Sequence, residues 1–163
     1  MTFQKAMDGP WGPALFLLLA FLLRATALPP LAIDGVTPDL VLAVVVMAAL
    51  RQGAWRGAIF GLFGGLLEDV ATGRLIGMHA LGLMLGGAVA GLLRRRLYPD
   101  PWFVPLLGVF LALLVQQIVV AVTLALAHFG VHDFPLLAAI EYIYTAPFAY
   151  IIRPVFYRPE APA

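Results

Sequence analysis

Charged residues in this chain are sorted between the two ends of six long apolar stretches instead of being spread along the sequence. If the N-terminus is placed on the inner side of a membrane, eight of the ten cations fall at inner ends, and these are Lys5, Arg51, Arg56, Arg94, Arg95, Arg96, Arg153 and Arg158. Arg24 and Arg74 fall toward the outer side. Because Lys and Arg accumulate in cytoplasmic loops, this sorting predicts a multi-pass membrane protein with both termini in the cytoplasm.

The apolar content of the chain agrees with this interpretation. The sequence is 63% hydrophobic with a mean hydropathy of +0.97, which is more apolar surface than a soluble domain of 163 residues can bury. A span needs about 20 apolar residues. We therefore predict one all-α integral membrane domain with six transmembrane helices, at about residues 11–28, 38–50, 57–72, 75–93, 102–127 and 135–152, and a cytoplasmic tail over 153–163. The basic residues are topology signals, and no nucleic-acid partner is predicted.

The first stretch also resembles a cleavable signal peptide, because small residues occur at Ala25–Ala27. Arg24, directly before that site, is unusual in a signal peptide. Cleavage would leave five spans and break the alternation of loop charge. We therefore expect the segment to remain as the first span.

The residue inventory restricts the chemistry. The chain contains no Cys, Ser or Asn, and Lys5 is its single lysine. These omissions exclude a Ser or Cys nucleophile, a thiolate metal site and a phosphate-binding loop with its lysine. His128 and His132 are four residues apart, but Gly130 between them favours a loop over a metal-binding helix face. We predict no catalytic residue, no cofactor and no metal.

Polar groups at membrane depth are the candidate functional residues. Six charged residues are expected to share the outer half of the bundle: Arg24, Asp39, Glu68, Asp69, Arg74 and Glu141. A lone charge in hydrocarbon costs about 3 kcal/mol or more, so these groups should pair or face the interior, with Asp69 near Arg74 or Arg24. The cluster is either a network that sets helix register, or a functional pocket or partner-contact site. Gln116 and Gln117 are expected to form interhelical hydrogen bonds.

Small residues recur every four positions in the third and fourth stretches. The glycines concerned are Gly57, Gly61, Gly65, Gly82, Gly86, Gly87 and Gly91. This spacing makes a flat helix face that permits close backbone approach in lipid. Such a face serves either internal packing of the bundle or docking of a partner's membrane helix, and the sequence leaves both open.

Two segments around the third stretch carry a family resemblance. Residues 64–69 read GGLLED, and residues 77–81 read GMHAL. This pattern resembles the rod shape-determining protein family MreD, which shows a glycine-rich span ending in G-L-L-x-D, a Gly-bearing turn and then G-x-x-A-L. The PDLVL segment at 38–42 and the basic run at 94–96 also fit. The motif covers about residues 38–96, while length and number of spans agree along the whole chain.

The resemblance implies a non-enzymatic inner-membrane component of the bacterial elongation machinery, which supports lateral peptidoglycan synthesis and cell shape. It implies an MreC-like protein as partner, and indirectly MreB, RodA and a class B penicillin-binding protein. The family's six-helix fold also resembles the substrate-binding membrane subunits of energy-coupling-factor transporters. A small-molecule, vitamin-like binding subunit is therefore the alternative. Membrane lipids surround the protein in either case.

Overall fold

A computed structural model describes residues 11–27, 37–73, 76–96, 103–126 and 134–156. Within these residues the chain forms six α-helices and no strand. The helices are α1 (Trp11–Thr26), α2 (Leu40–Gln52), α3 (Ala54–Thr72), α4 (Met78–Arg96), α5 (Phe103–Leu126) and α6 (Phe134–Phe156). The all-α fold with six helices is thus confirmed, and each helix overlaps one of the expected spans.

One described helix is long and apolar enough to cross a membrane, judged by its length and composition. It is α5, with 24 residues. The helices α1 and α2, and the Met78–Leu93 part of α4, are apolar but shorter. Large apolar side chains nevertheless lie exposed on α1, α3, α4, α5 and α6, and Phe63 and Ile118 are examples. An apolar exterior of this extent is typical of a protein that contacts lipid.

The second helix is the centre of the bundle. Every residue from Leu40 to Leu50 is buried, and α2 contacts each of the other five helices. Its sequence is apolar on all sides, so no polar face opposes burial of the whole helix. The other helices surround it in the order α1, α3, α4, α5, α6.

The two ends of the bundle are named here after residues of α2. At the Arg51 end, the Arg51 guanidinium donates a hydrogen bond of 2.8 Å to the backbone carbonyl of Phe156. The ring of Phe156 lies edge to face with the ring of Phe16 of α1, and their centroids are 5.7 Å apart. At the opposite end, the Asp39 end, the helices α1, α3 and α5 finish while α2, α4 and α6 begin.

Glycines decide how the bundle packs. Those of α3 face α4 in antiparallel register, with Gly57 against Gly87 and Gly61 against Leu83. A Cβ atom on Gly61 would overlap backbone atoms of α4. Of the remaining glycines of the predicted stripes, Gly65 and Gly91 lie in the same α3–α4 interface, and Gly82 and Gly86 lie between α4 and α5. The stripes therefore pack inside the bundle, and the alternative of an outward docking face does not hold for them.

We expect Gly61→Ala to lower the free energy of unfolding by about 1–3 kcal/mol, because overpacking against a fixed backbone forces the helices apart. The matched control is Gly108→Ala, since the atoms nearest to its added Cβ all belong to side chains, those of Val46 and Leu50, with the nearest 3.0 Å away. Thermal unfolding of both purified variants in detergent measures the difference. Equal melting temperatures for the two variants would contradict the close α3–α4 contact.

Candidate functional site

One arginine joins two buried carboxylates from different helices. Arg24 lies near the end of α1, Asp39 directly precedes α2, and Glu68 lies near the end of α3. The Nη1 atom of Arg24 is 2.9 Å from Oδ1 of Asp39 and also binds Oε1 of Glu68. Asp39 is fully buried and Glu68 is 4% exposed, whereas the Arg24 side chain is 24% exposed. The guanidinium thus holds the Asp39 ends of three helices together.

Asp39 also organises its own helix. Its Oδ1 atom accepts a hydrogen bond of 2.8 Å from the backbone N–H of Leu42, which is the standard side-chain cap of a helix N-terminus. The backbone N–H of Asp39 donates to the hydroxyl of Thr145 on α6, 3.0 Å away. A single residue therefore both starts α2 and ties it to α6.

Two glutamines extend this polar layer to α5. The Nε2 atom of Gln116 lies 3.4 Å from Oδ2 of Asp39, and Nε2 of Gln117 donates to Oε2 of Glu141 on α6 at 2.6 Å. Both glutamines thus form the interhelical hydrogen bonds expected from the sequence. We call Arg24, Asp39, Glu68, Gln116, Gln117 and Glu141 the polar cluster. It connects α1, α2, α3, α5 and α6.

The polar cluster contains more acceptors than donors. Three carboxyl groups lie there with one guanidinium among the described residues, which binds Asp39 and Glu68, while Glu141 accepts from Gln117. Within the described part of the chain, Oε2 of Glu68 and Oε1 of Gln116 are buried without a hydrogen-bond partner. Buried polar atoms are almost always satisfied, so these two acceptors show that the polar cluster is short of hydrogen-bond donors. Arg74, the other cation expected here, lies outside the described residues.

Asp69 forms a separate site at the α3–α4 turn. Its carboxylate accepts backbone N–H groups of Gly77 at 2.7 Å, His79 at 3.0 Å and Ala80 at 3.2 Å. The Nδ1 atom of the His79 ring lies 2.9 Å from Oδ1 of the same carboxylate. Asp69 thus satisfies the free N–H groups at the start of α4, where a negative charge is also favoured by the helix dipole.

This geometry explains the G-L-L-x-D and G-x-x-A-L motif. The aspartate at the end of α3 caps α4, Gly77 takes the left-handed conformation of the turn with a φ of 105°, and Gly65 lets α3 lie directly on the backbone of Ala80. The motif therefore locks a helical hairpin. Asp69 is expected from the sequence near Arg74 or Arg24; its pair with Arg24 is not formed, because Arg24 binds Asp39 and Glu68 instead, and Arg74 lies outside the described residues.

Sequence reasoning missed His79 as a partner of Asp69. The sequence did contain a signal for this contact. His79 lies in the first turn of α4, and a short turn joins α4 to the end of α3, where Asp69 lies. Arg24 contacts Asp39 and Glu68, two of the acids expected near it, whereas the hydrogen-bond partner of Glu141 is Gln117 of α5. His128 and His132 lie outside the described residues.

The described side chains offer interhelical ion pairs and hydrogen bonds. Among the residues that the structure describes, no group of three His, Cys, Asp or Glu side chains is arranged to hold a metal ion. The contacts that the polar cluster does show are ion pairs and hydrogen bonds between helices.

Fold and site together define a class, an α-helical membrane component whose polar interior serves to join helices. The family model of the rod shape-determining protein MreD matches residues 9–158, which is nearly the whole chain. The chain belongs to the MreD family, and the resemblance carried by the glycine and aspartate motif is confirmed. The family is a structural component of rod shape determination. No curated protein and no solved structure matches the chain.

Proposed function

We propose that this chain is a non-enzymatic component of the bacterial cell-elongation complex in the inner membrane, where it supports lateral peptidoglycan synthesis. The observation that carries the proposal is the family match over residues 9–158. The polar cluster supports it, because charged groups and glutamines that bind one another across five helices are suited to building a rigid scaffold. The vitamin-binding alternative and the likeness to energy-coupling-factor subunits remain predictions that no observation favours.

The scaffold acts through contacts inside the membrane. An MreC-like protein is the proposed direct partner, and MreB, RodA and a class B penicillin-binding protein are reached through the complex. Short connections support this mode of contact, since Gly53 alone joins α2 to α3 and five residues, 73–77, join α3 to α4. Such connections offer little surface outside the bilayer, whereas exposed apolar side chains cover the helices.

Depletion of the protein in a rod-shaped host should give round cells, because lateral wall synthesis would lose a component of its complex. The measurement is cell width and length by microscopy, together with incorporation of a labelled wall precursor along the side wall. Re-expression of the wild-type chain should restore rods. Cells that stay rod-shaped after complete depletion, with unchanged side-wall labelling, would reject the proposal.

We also propose that the chain crosses the membrane six times with both termini in the cytoplasm. Eight of ten cations support this orientation, and the hydrogen bond from Arg51 to Phe156 places the end of α6 beside the α2–α3 junction. Reporter fusions at Ala163 and at Gly130 should therefore report opposite sides of the membrane. A periplasmic signal from Ala163 would contradict six spans.

A further inference from the structure

The helices around α2 do not close into a full ring. Neighbouring helices pack along the order α1, α3, α4, α5, α6, whereas among the described residues α1 and α6 make few contacts with each other. They meet at the Arg51 end, through Phe16 and Phe156. We call the opposite part of this boundary, between Arg24 of α1 and Glu141 of α6, the α1–α6 seam.

The polar cluster borders this seam, because Asp39 binds Arg24 of α1 and its backbone N–H donates to the hydroxyl of Thr145 of α6. Its inner members Asp39 and Glu68 are closed off, but Arg24 is 24% exposed on its side chain and Glu141 is half-buried. Glu141 accepts a hydrogen bond from Gln117, whose neighbour Gln116 lies 3.4 Å from Asp39, so Glu141 belongs to the same polar layer as the inner residues. A group that enters the seam at this depth therefore meets the edge of the polar cluster.

The cluster lacks positive charge. Asp39 and Glu68 share Arg24, Glu141 is bound by the uncharged Gln117, and the acceptors Oε2 of Glu68 and Oε1 of Gln116 are buried without donors. The unpartnered oxygen of Gln116 is a second observation, which does not depend on the number of carboxylates. A buried amide oxygen needs a hydrogen-bond donor whatever the charges around it. The excess of carboxylates would be balanced by a cation, and the free acceptors would be satisfied by a hydrogen-bond donor. A cationic hydrogen-bond donor meets both requirements.

We propose that the α1–α6 seam receives a membrane-spanning helix of a partner protein, and that this helix presents one Lys or Arg to Glu68, Gln116 and Glu141. The inference deepens the proposed function and rests on it. A basic side chain is costly in hydrocarbon unless it is paired, so a partner helix that carries one at this depth gains both affinity and a defined register here. Apolar side chains exposed on both flanking helices, such as Leu18, Leu22 and Ile143, suit the rest of such a helix.

The test uses the full-length chain in phosphatidylcholine vesicles and a synthetic Leu/Ala membrane-spanning peptide with a single Lys at the depth of Arg24. Matched peptides carry Leu or Glu at that position. Energy transfer between labelled protein and peptide gives the binding constants. We expect the Lys peptide to bind about tenfold or more tightly than the Leu peptide, and the Glu peptide to bind most weakly.

Variants of the chain assign the effect to the seam. Glu141→Gln and Glu68→Gln should each remove most of the preference for Lys, while Asp100→Asn, which also removes one acid, should keep it. Glu141→Lys should reverse the preference and favour the Glu peptide, and this gain cannot come from a misfolded protein. Equal binding of the Lys and Leu peptides by the wild-type chain would overturn the inference.

Three further outcomes identify other occupants and would each overturn the inference. A preference for Lys that appears only after Arg74→Gln would show that this chain's own arginine fills the seam. A preference abolished by phosphatidylethanolamine would assign the site to an amine headgroup. Energy transfer between two labelled copies of the chain that the Lys peptide displaces would assign the seam to self-association.

Co-purification separates this inference from the proposed function. If the wild-type chain and the Glu68→Gln/Glu141→Gln variant capture an MreC-like protein equally, the seam is not the docking surface although the proposed function stands. If the wild-type chain captures no such protein while the Lys peptide still binds as expected, the seam binds a basic helix and the proposed partner is wrong.

Discussion

Arg24→Leu is expected to lower the free energy of unfolding by about 3–5 kcal/mol, because it would leave Asp39 and Glu68 buried without their shared cation. Both carboxylates lie in the interior, where water cannot replace the guanidinium. The loss should appear as a lower melting temperature of the purified protein in detergent and as reduced accumulation in the membrane. Complementation of a depleted strain should fall with it.

A double-variant cycle distinguishes this cause from simple loss of packing. Arg24→Leu combined with Glu68→Leu removes one of the two stranded acids and should recover part of the stability, whereas independent effects would add. Arg158→Leu serves as the control for loss of a cation from the tail, and it should change stability by within about 0.5 kcal/mol. Equal melting temperatures for Arg24→Leu and Arg158→Leu would contradict a buried role for Arg24.

Asp69→Leu is expected to have an effect of similar size, about 3–5 kcal/mol, because it would strand the polar groups that the carboxylate satisfies. Three backbone N–H groups at the start of α4 and the ring of His79 would lose their acceptor. The α3–α4 hairpin should then open first. Hydrogen exchange of the amides of Gly77, His79 and Ala80 measures this directly, beside detergent thermostability.

Two controls test the assignment of Asp69 as a cap. Asp100→Leu removes an acid from an expected loop and should cost within about 0.5 kcal/mol. Asp69→Asn keeps the shape and one acceptor oxygen, so its effect should lie between those of Asp69→Leu and the wild type. Equal expression, stability and complementation for Asp69→Leu and Asp100→Leu would count against the cap.

The contrast between Asp69 and Glu68 shows how neighbouring acids acquire different roles. Adjacent residues on a helix point about 100° apart, so Glu68 turns toward α1 while Asp69 turns toward α4. The acid that carries the family motif is the one that builds the hairpin. Its neighbour belongs to the polar cluster, which is the part of the bundle with unsatisfied acceptors.

Much of the architecture follows from the sequence alone. Six apolar stretches predict six helices, because the preference of a stretch for helix in an apolar medium depends on its own residues. The four-residue spacing of Gly57, Gly61 and Gly65 predicts a flat helix face for the same reason. Family membership also follows, since the hairpin motif is a local pattern of residues 64–81.

Only the tertiary structure decided which residues meet. Arg24 and Glu68 are 44 positions apart, and Asp39 and Thr145 are 106 apart. Nothing in either local segment specifies the partner, because Arg24 could equally have met Asp69 by charge alone. The glycine faces likewise became internal only through the position of α4 against α3. Local sequence determines which surfaces a helix has. Which neighbours cover those surfaces depends on the packing of all six helices at once, because each contact forms only if the whole arrangement is more stable than the alternative packings of the same helices.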